Sequence, residues 1–286
     1  MGRIFSDPAT ARFGAPNHPE APFRVVRTAE RLAAAGHNVE APCVLAAAEH
    51  VSLLHGPKHF ARVAAGDFSD ADTPAYPGIA AIALISLSGA LSAAEAAAQG
   101  APSFSLMRPP GHHAGKDRVA GFCYFNNIAL ACQHLIKSGG AKKIALLDID
   151  VHHGDGTEEL LRDRDDVLFC SLHQAPLYPG TGLKSSGNCL NFPLPAGTGE
   201  KEYLETLATA GTRIMDFKPD LLAVSAGFDT YKDDPIAGLK LGKKTYREIG
   251  RLLAQLDCKR RFAVLEGGYA DDLPKLVELF IDGFFQ

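Results

Sequence analysis

The chain has 286 residues, 46% hydrophobic and 22% charged, which is the balance of an ordinary soluble globular protein with room for a large core. Its net charge of −4 argues against direct nucleic-acid binding, which needs a basic surface. The start, MGRIFSDPAT, lacks the apolar stretch of a signal peptide, and six cysteines without a CxxC pair predict buried, reduced thiols. Together these features predict a cytoplasmic protein.

From the N-terminus, apolar spacing predicts helices over 24–35, 78–99, 126–138, 201–217 and 244–256. The second of these, GIAAIALISLSGALSAAEAAAQG (78–100), is long enough to test as a membrane span. It is rich in Ala and Ser and carries Glu95, so a buried helix and no membrane association are expected. Short apolar runs lie between the helices, at 103–107, 143–149, 167–172, 220–226 and 261–266. Runs of this length, flanked by helices, suit a parallel sheet buried on both faces. The alternation predicts one catalytic domain over 1–286, an α/β fold with a central, mostly parallel sheet and helices on both faces.

Each run ends in a polar or glycine-rich cluster: RPPGHHAG, DVHHGDG, HQAPLYPGTG, GFDTYKDDP and GGYADD. Ligands of open α/β sheets bind beyond the carboxyl ends of the strands, so the five clusters are expected to line one crevice. The densest is DIDVHHGDG, in which Asp148, Asp150 and His152 alternate along an extended chain and share a face. Asp150 and His152 suit one divalent metal, and Asp229, after the run at 220–226, is the natural third ligand. Three protein ligands with an open position is the catalytic zinc pattern, and the oxygen-rich set also admits Fe(II), Mn(II) or Co(II). His112 and His113 read as acid/base machinery, with Asp148 and Asp155 as spare acids able to orient one imidazole each. Tyr269, after Gly267 and Gly268, could donate a hydrogen bond to an oxyanion or simply pack.

RPPGHHAG, GFCYFNNIAL, LLDIDVHHGDGTEE, SLH, YPGTG, SAGFDTYKDDPIAGL and LEGGY, preceded by HPEAPFRV at 18–25, occur in this order over nearly the whole chain. The set resembles the histone deacetylases, in particular the class II and bacterial branch that is related to acetylpolyamine amidohydrolases. The resemblance implies an arginase-like fold and a zinc-dependent amide hydrolase. It implies zinc on Asp150, His152 and Asp229, and His113 as general base and then acid, oriented by Asp155. It assigns His112, paired with Asp148, an electrostatic role, and Tyr269 the polarisation of the carbonyl. It further implies a potassium ion held at Asp148, Asp150, His152, Ser171 and Leu172, largely through backbone carbonyls. Gly121, Phe122 and Tyr178 are implied as the walls of an acyl tunnel, with Ile236 near its mouth; on the rim loop at 64–77, Asp70 or Asp72 could accept peptide N–H groups.

The substrates so implied are acylated lysine side chains of proteins or peptides, or else acylpolyamines and similar small amines. A non-catalytic acyl-lysine binder is disfavoured because every catalytic position is filled. A two-manganese ureohydrolase is a faint further echo. The oligomeric state, monomer or dimer, stays open at this level.

Overall fold

The computed structural model describes residues 2–286. Eight strands form one sheet: β1 (Arg3–Phe5), β2 (Val39–Glu40), β3 (Ser103–Ser105), β4 (Ile144–Asp148), β5 (Val167–Gln174), β6 (Cys189–Leu194), β7 (Leu221–Ala226) and β8 (Arg261–Leu265). Their order across the sheet is β2-β1-β3-β8-β7-β4-β5-β6, and every pairing is parallel. Nine α-helices accompany them among the described residues: α1 (Phe23–Ala34), α2 (Ala48–Val51), α3 (His59–Ala65), α4 (Ile79–Ala98), α5 (Asn127–Ser138), α6 (Asp155–Leu161), α7 (Glu200–Phe217), α8 (Lys243–Gln255) and α9 (Leu273–Phe284).

The central strands are apolar throughout because both faces are covered. Ile144, Leu146, Leu221, Ala223, Phe262 and Val264 point into one core, which α4 and α5 close. Their neighbours Ala145, Leu147, Leu222, Val224, Ala263 and Leu265 point into the other, which α1, α7, α8 and α9 close. This is the period-2 alternation of a strand feeding two cores at once. Helix α4 has the length and apolarity of a membrane-crossing helix, yet most of it is buried inside the protein. Helix α5 starts where Asn126 Oδ1 accepts the N–H of Ala129 (3.1 Å) and stops at Gly139 in the left-handed conformation.

The predicted elements agree with the structure to within a few residues, and the sheet is parallel throughout. Beyond them lie β1, β2, β6, α2, α3, α6 and α9. The first two are too short to carry a pattern. Strand β6 contains Pro193 and lies at the sheet edge, where a missing N–H is tolerated. Helix α6 begins inside the acidic motif, where charge masks the apolar spacing.

Parallel pairing has one consequence that governs function. The carboxyl ends of β3, β8, β7, β4 and β5, neighbours in that order, all open on the same edge of the sheet. The loops that follow them carry the five polar clusters, which therefore meet.

Candidate active site

A cavity of about 400 Å³ opens at that edge, lined among others by His112, His113, Gly121, Phe122, His152, Tyr178, Ile236, Asp72 and Tyr269. All five residues expected to contact substrate are in its wall. At its base Asp150, His152 and Asp229 bring one ligand atom each to within 4.8 Å of one another, all buried. His152 Nδ1 lies 3.1 Å from Asp150 Oδ1 and 3.2 Å from Asp229 Oδ2.

The outer bonds of these carboxylates aim them. Asp150 Oδ2 accepts the N–H of Gly267 (2.7 Å), and Asp229 Oδ1 accepts that of Val151 (2.8 Å). Asp229 Oδ2 is buried without a hydrogen-bond partner. An orphaned buried carboxylate oxygen facing a second carboxylate and an imidazole is what a cation would satisfy. Burial, and then the charge of Asp150, push the Asp229 carboxyl up to about 7, which marks the cost of crowding two acids here. Gly267 is required for this approach, since a Cβ there would stand 2.2 Å from Asp229 Oδ2.

The two histidines are held by different acids. His112 Nδ1 meets Asp148 Oδ2 at 2.9 Å, and His113 Nδ1 meets Asp155 Oδ1 at 2.7 Å. The rings sit 4.0 Å apart, yet their protonation diverges. Burial works against a charge on His112, but Asp150 and Asp148 outweigh it and hold the ring well above the ordinary histidine range. Burial and the neighbouring His112 charge push His113 down to about 3, despite Asp155. One imidazole is thus a cation and the other a neutral base, which is how titratable neighbours divide acid and base roles. Asp155 is held down to about 2. Its burial favours the neutral acid, but the bond to His113 and the Arg118 guanidinium prevail.

The walls are aromatic. Phe122 and Tyr269 meet edge to face at 5.8 Å between ring centres, and the Tyr178 ring stands 5.1 Å from that of His113. Phe122 adopts φ 70°, a left-handed conformation that costs a non-glycine residue about 1–2 kcal/mol. Its N–H donates to Thr73 Oγ1 (2.8 Å), which holds it there. At Gly121 a Cβ would lie 2.4 Å from the His113 ring, so only glycine lets the tunnel wall close on the imidazole. Burial keeps the Tyr269 phenol protonated, well above its ordinary range, so it can donate. Tyr269 N–H and Ile236 N–H both bond Asp234 (2.8 and 3.1 Å), which ties the tunnel mouth to the phenol.

Several residues in the site's framework carry no signal that a single sequence exposes. Glu266 is fully buried and accepts the N–H groups of Gly111 (2.7 Å) and His112 (3.2 Å). The buried Arg24 guanidinium lies 4.8 Å over the Tyr269 ring and donates to Gly268 O (2.7 Å). Thr73 and Arg118 belong to the same group. Their only sequence cue is position: Arg24 ends the HPEAPFR segment, and Glu266 directly precedes Gly267.

Residues 18–283 match the histone deacetylase domain. The chain belongs to the histone deacetylase family. A probable deacetylase of Archaeoglobus fulgidus is 38% identical over 292 aligned positions, covering 94% of this chain and 81% of the relative. Acetylpolyamine amidohydrolase 1 of Pseudomonas aeruginosa is 43% identical over 193, covering 63% of this chain and 55% of that protein. The fold superposes on a crystal structure of acetylpolyamine aminohydrolase from Burkholderia pseudomallei with a TM-score of 0.91. That match has 27% identity and covers 99% of this chain and 98% of the other. The deacetylase is accordingly a hydrolase of amide bonds, with the fold expected from its motifs.

Proposed function

We propose that this deacetylase is a zinc hydrolase that removes acyl groups from lysine side chains of proteins or peptides. The observation that carries the reading is the buried Asp150–His152–Asp229 cluster, with its orphaned Asp229 oxygen, at the base of an aromatic tunnel beside a neutral His113. These three side chains would hold the divalent ion; Fe(II), Mn(II) and Co(II) fit the same donors. When bound, the metal polarises the amide carbonyl and acidifies water. Tyr269 donates its phenol hydrogen to the carbonyl oxygen as charge grows there. His113 takes a proton from the attacking water and returns one to the departing amine, while Asp155 fixes its ring. His112, paired with Asp148, contributes positive charge. Phe122 and Tyr178 hold the linear acylated chain between them and exclude water from it.

A potassium ion would sit behind the metal strand, on carbonyls of Asp148, Asp150, His152 and Leu172 and on Ser171. In support, no N–H or O–H among the described residues donates to the carbonyls of Asp150 or His152. The six free cysteines support a reducing compartment, the cytoplasm.

The second reading is an acylpolyamine or other small-amine amidohydrolase, favoured by the names of two relatives. At the mouth, Ile236 offers no charge to a distal ammonium, and Asp70 Oδ2 is occupied by Thr73 Oγ1 (2.7 Å). Exposed Asp72 lines the rim as a carboxylate able to accept a peptide N–H or to pair with a distal ammonium, so turnover decides between the two readings. The test is metal analysis of the purified protein with turnover of acetyl-lysine peptides and acetylated polyamines in one assay. About one divalent ion per chain, loss of activity on chelation and measurable peptide turnover are expected. A preference for polyamines beyond about a hundredfold, roughly 2.7 kcal/mol, would exchange the two substrate readings.

A further inference from the structure

The carboxylate that orients His113 is gripped from two sides. Asp155 Oδ1 meets His113 Nδ1, and Asp155 Oδ2 accepts a hydrogen bond from Arg118 Nη2 at 2.7 Å. Asp155 and Glu159 stand one turn apart on the same face of α6, and the same guanidinium nitrogen lies 3.6 Å from Glu159 Oε2. The loop that carries Arg118 is itself pinned. Gly115 N–H donates to Arg118 O (3.0 Å), and Lys116 N–H donates to Glu159 Oε1 (3.1 Å). The Asp155 side chain is 10% exposed and that of Arg118 is 43% exposed, so the guanidinium covers the carboxylate from the solvent side.

A carboxylate with one hydrogen bond can turn about its Cβ–Cγ bond. With both oxygens held, its plane is fixed, and so is the direction in which it holds its partner's ring. Arg118 is neither a lining residue of the tunnel nor a member of the metal cluster, and its hydrogen bond into the site is the one to Asp155. We propose that Arg118 is a positioning residue for the proton-transferring imidazole. It locks the Asp155 carboxylate and, through it, the ring of His113. This rests on His113 as the proposed general base. Glu159 is the internal control, because it shares Arg118 but has no contact with His113.

The experiment combines kcat and KM of zinc-loaded protein on an acetyl-lysine peptide with low-field proton NMR of the His113 Nδ1–H. Arg118→Ala should lower kcat about tenfold, the scale of losing an outer residue that orients an imidazole, with KM and unfolding midpoint unchanged. Arg118→Lys should restore most of the rate, and Glu159→Gln should keep it. The low-field proton of the His113–Asp155 bond should broaden or vanish in Arg118→Ala and persist in Glu159→Gln. Wild-type kcat and an unchanged resonance in Arg118→Ala would overturn the proposal. So would a raised KM with kcat and resonance intact, which would make Arg118 a substrate contact. If the unsubstituted protein turned over no acylated amine, the functional reading would fail separately. The resonance would still decide whether Arg118 holds the pair.

Discussion

His112 and His113 are adjacent in the chain and 4.0 Å apart in space, yet their surroundings push their protonation in opposite directions. Asp148 and Asp150 hold a proton on the first, and burial beside that charge strips one from the second. The substitution His113→Ala should therefore cost about 10²–10⁴ in kcat, the usual toll of a lost general base. His112→Ala should cost distinctly less, and steady-state kinetics of the two variants decides the matter. Equal small losses would remove the acid/base division. At the metal cluster, Asp229→Ala should weaken zinc retention strongly in a dialysis and metal-analysis experiment, because no other side chain there offers an unpaired oxygen. Retention equal to wild type would exclude Asp229 as a ligand.

At the level of elements, α8 and α9 cross with their backbones in contact. A Cβ at Gly250 would stand 2.3 Å from Phe280 O, and one at Gly283 would stand 2.3 Å from Arg247 O. Each obstacle is main chain, so neither can swing aside, and the helices would have to part. Overpacking of this kind costs about 1–3 kcal/mol. Gly250→Ala should lower the thermal midpoint by several degrees, at about 2–4 °C per kcal/mol for a chain somewhat smaller than this one. Because the crossing lies on the α9 side of the sheet and contributes nothing to the tunnel, kcat should be retained. A variant as stable as wild type would show that the two helices do not need this contact. The element boundaries in the middle of the chain were legible because buried parallel strands and amphipathic helices leave opposite periodicities. Strand β6 and helix α6 were not, since a proline and a run of acids interrupt those patterns.

Across the whole molecule, a buried ionic cluster ties the N-terminal segment to the site. Glu20 pairs with Arg24 (3.0 Å) and with Arg108. Arg108 donates to Thr10 O (2.9 Å), while Arg24 donates to Gly268 O (2.7 Å) and to Glu266 O. Burial favours neutral Glu20, yet Arg108 and then Arg24 hold its carboxyl below the ordinary glutamate range. A carboxyl depressed in the folded state stabilises above its unfolded pKa, and that stability is lost as pH falls through the folded value. Glu20→Gln, which leaves two buried guanidiniums without their counter-charge, should cost about 3–5 kcal/mol at neutral pH. In urea titrations across a pH series, the gap to wild type should narrow on the acid side, where wild-type Glu20 also becomes neutral. A gap that stays constant into strong acid would mean the cluster acts by packing alone.

Sheet, strand–helix rhythm, the Asp150–His152–Asp229 cluster and the tandem histidines were all readable from one chain, for a local reason. Each is written in residues a few positions apart, as in DIDVHHGDG, whose charges would be too costly at a strand end without a cation or partners. What the chain could not disclose is which distant groups meet. Arg24 and Gly268 O are 244 positions apart, and Gly111 N–H finds Glu266 across 155. Arg118 finds Asp155 only because α6 turns that carboxylate toward the loop. Such pairings follow from strand order, and strand order minimises a global packing energy that no local window contains. The division of charge between His112 and His113 has the same origin, since burial and neighbouring acids exist only once the five loops share one edge of the sheet.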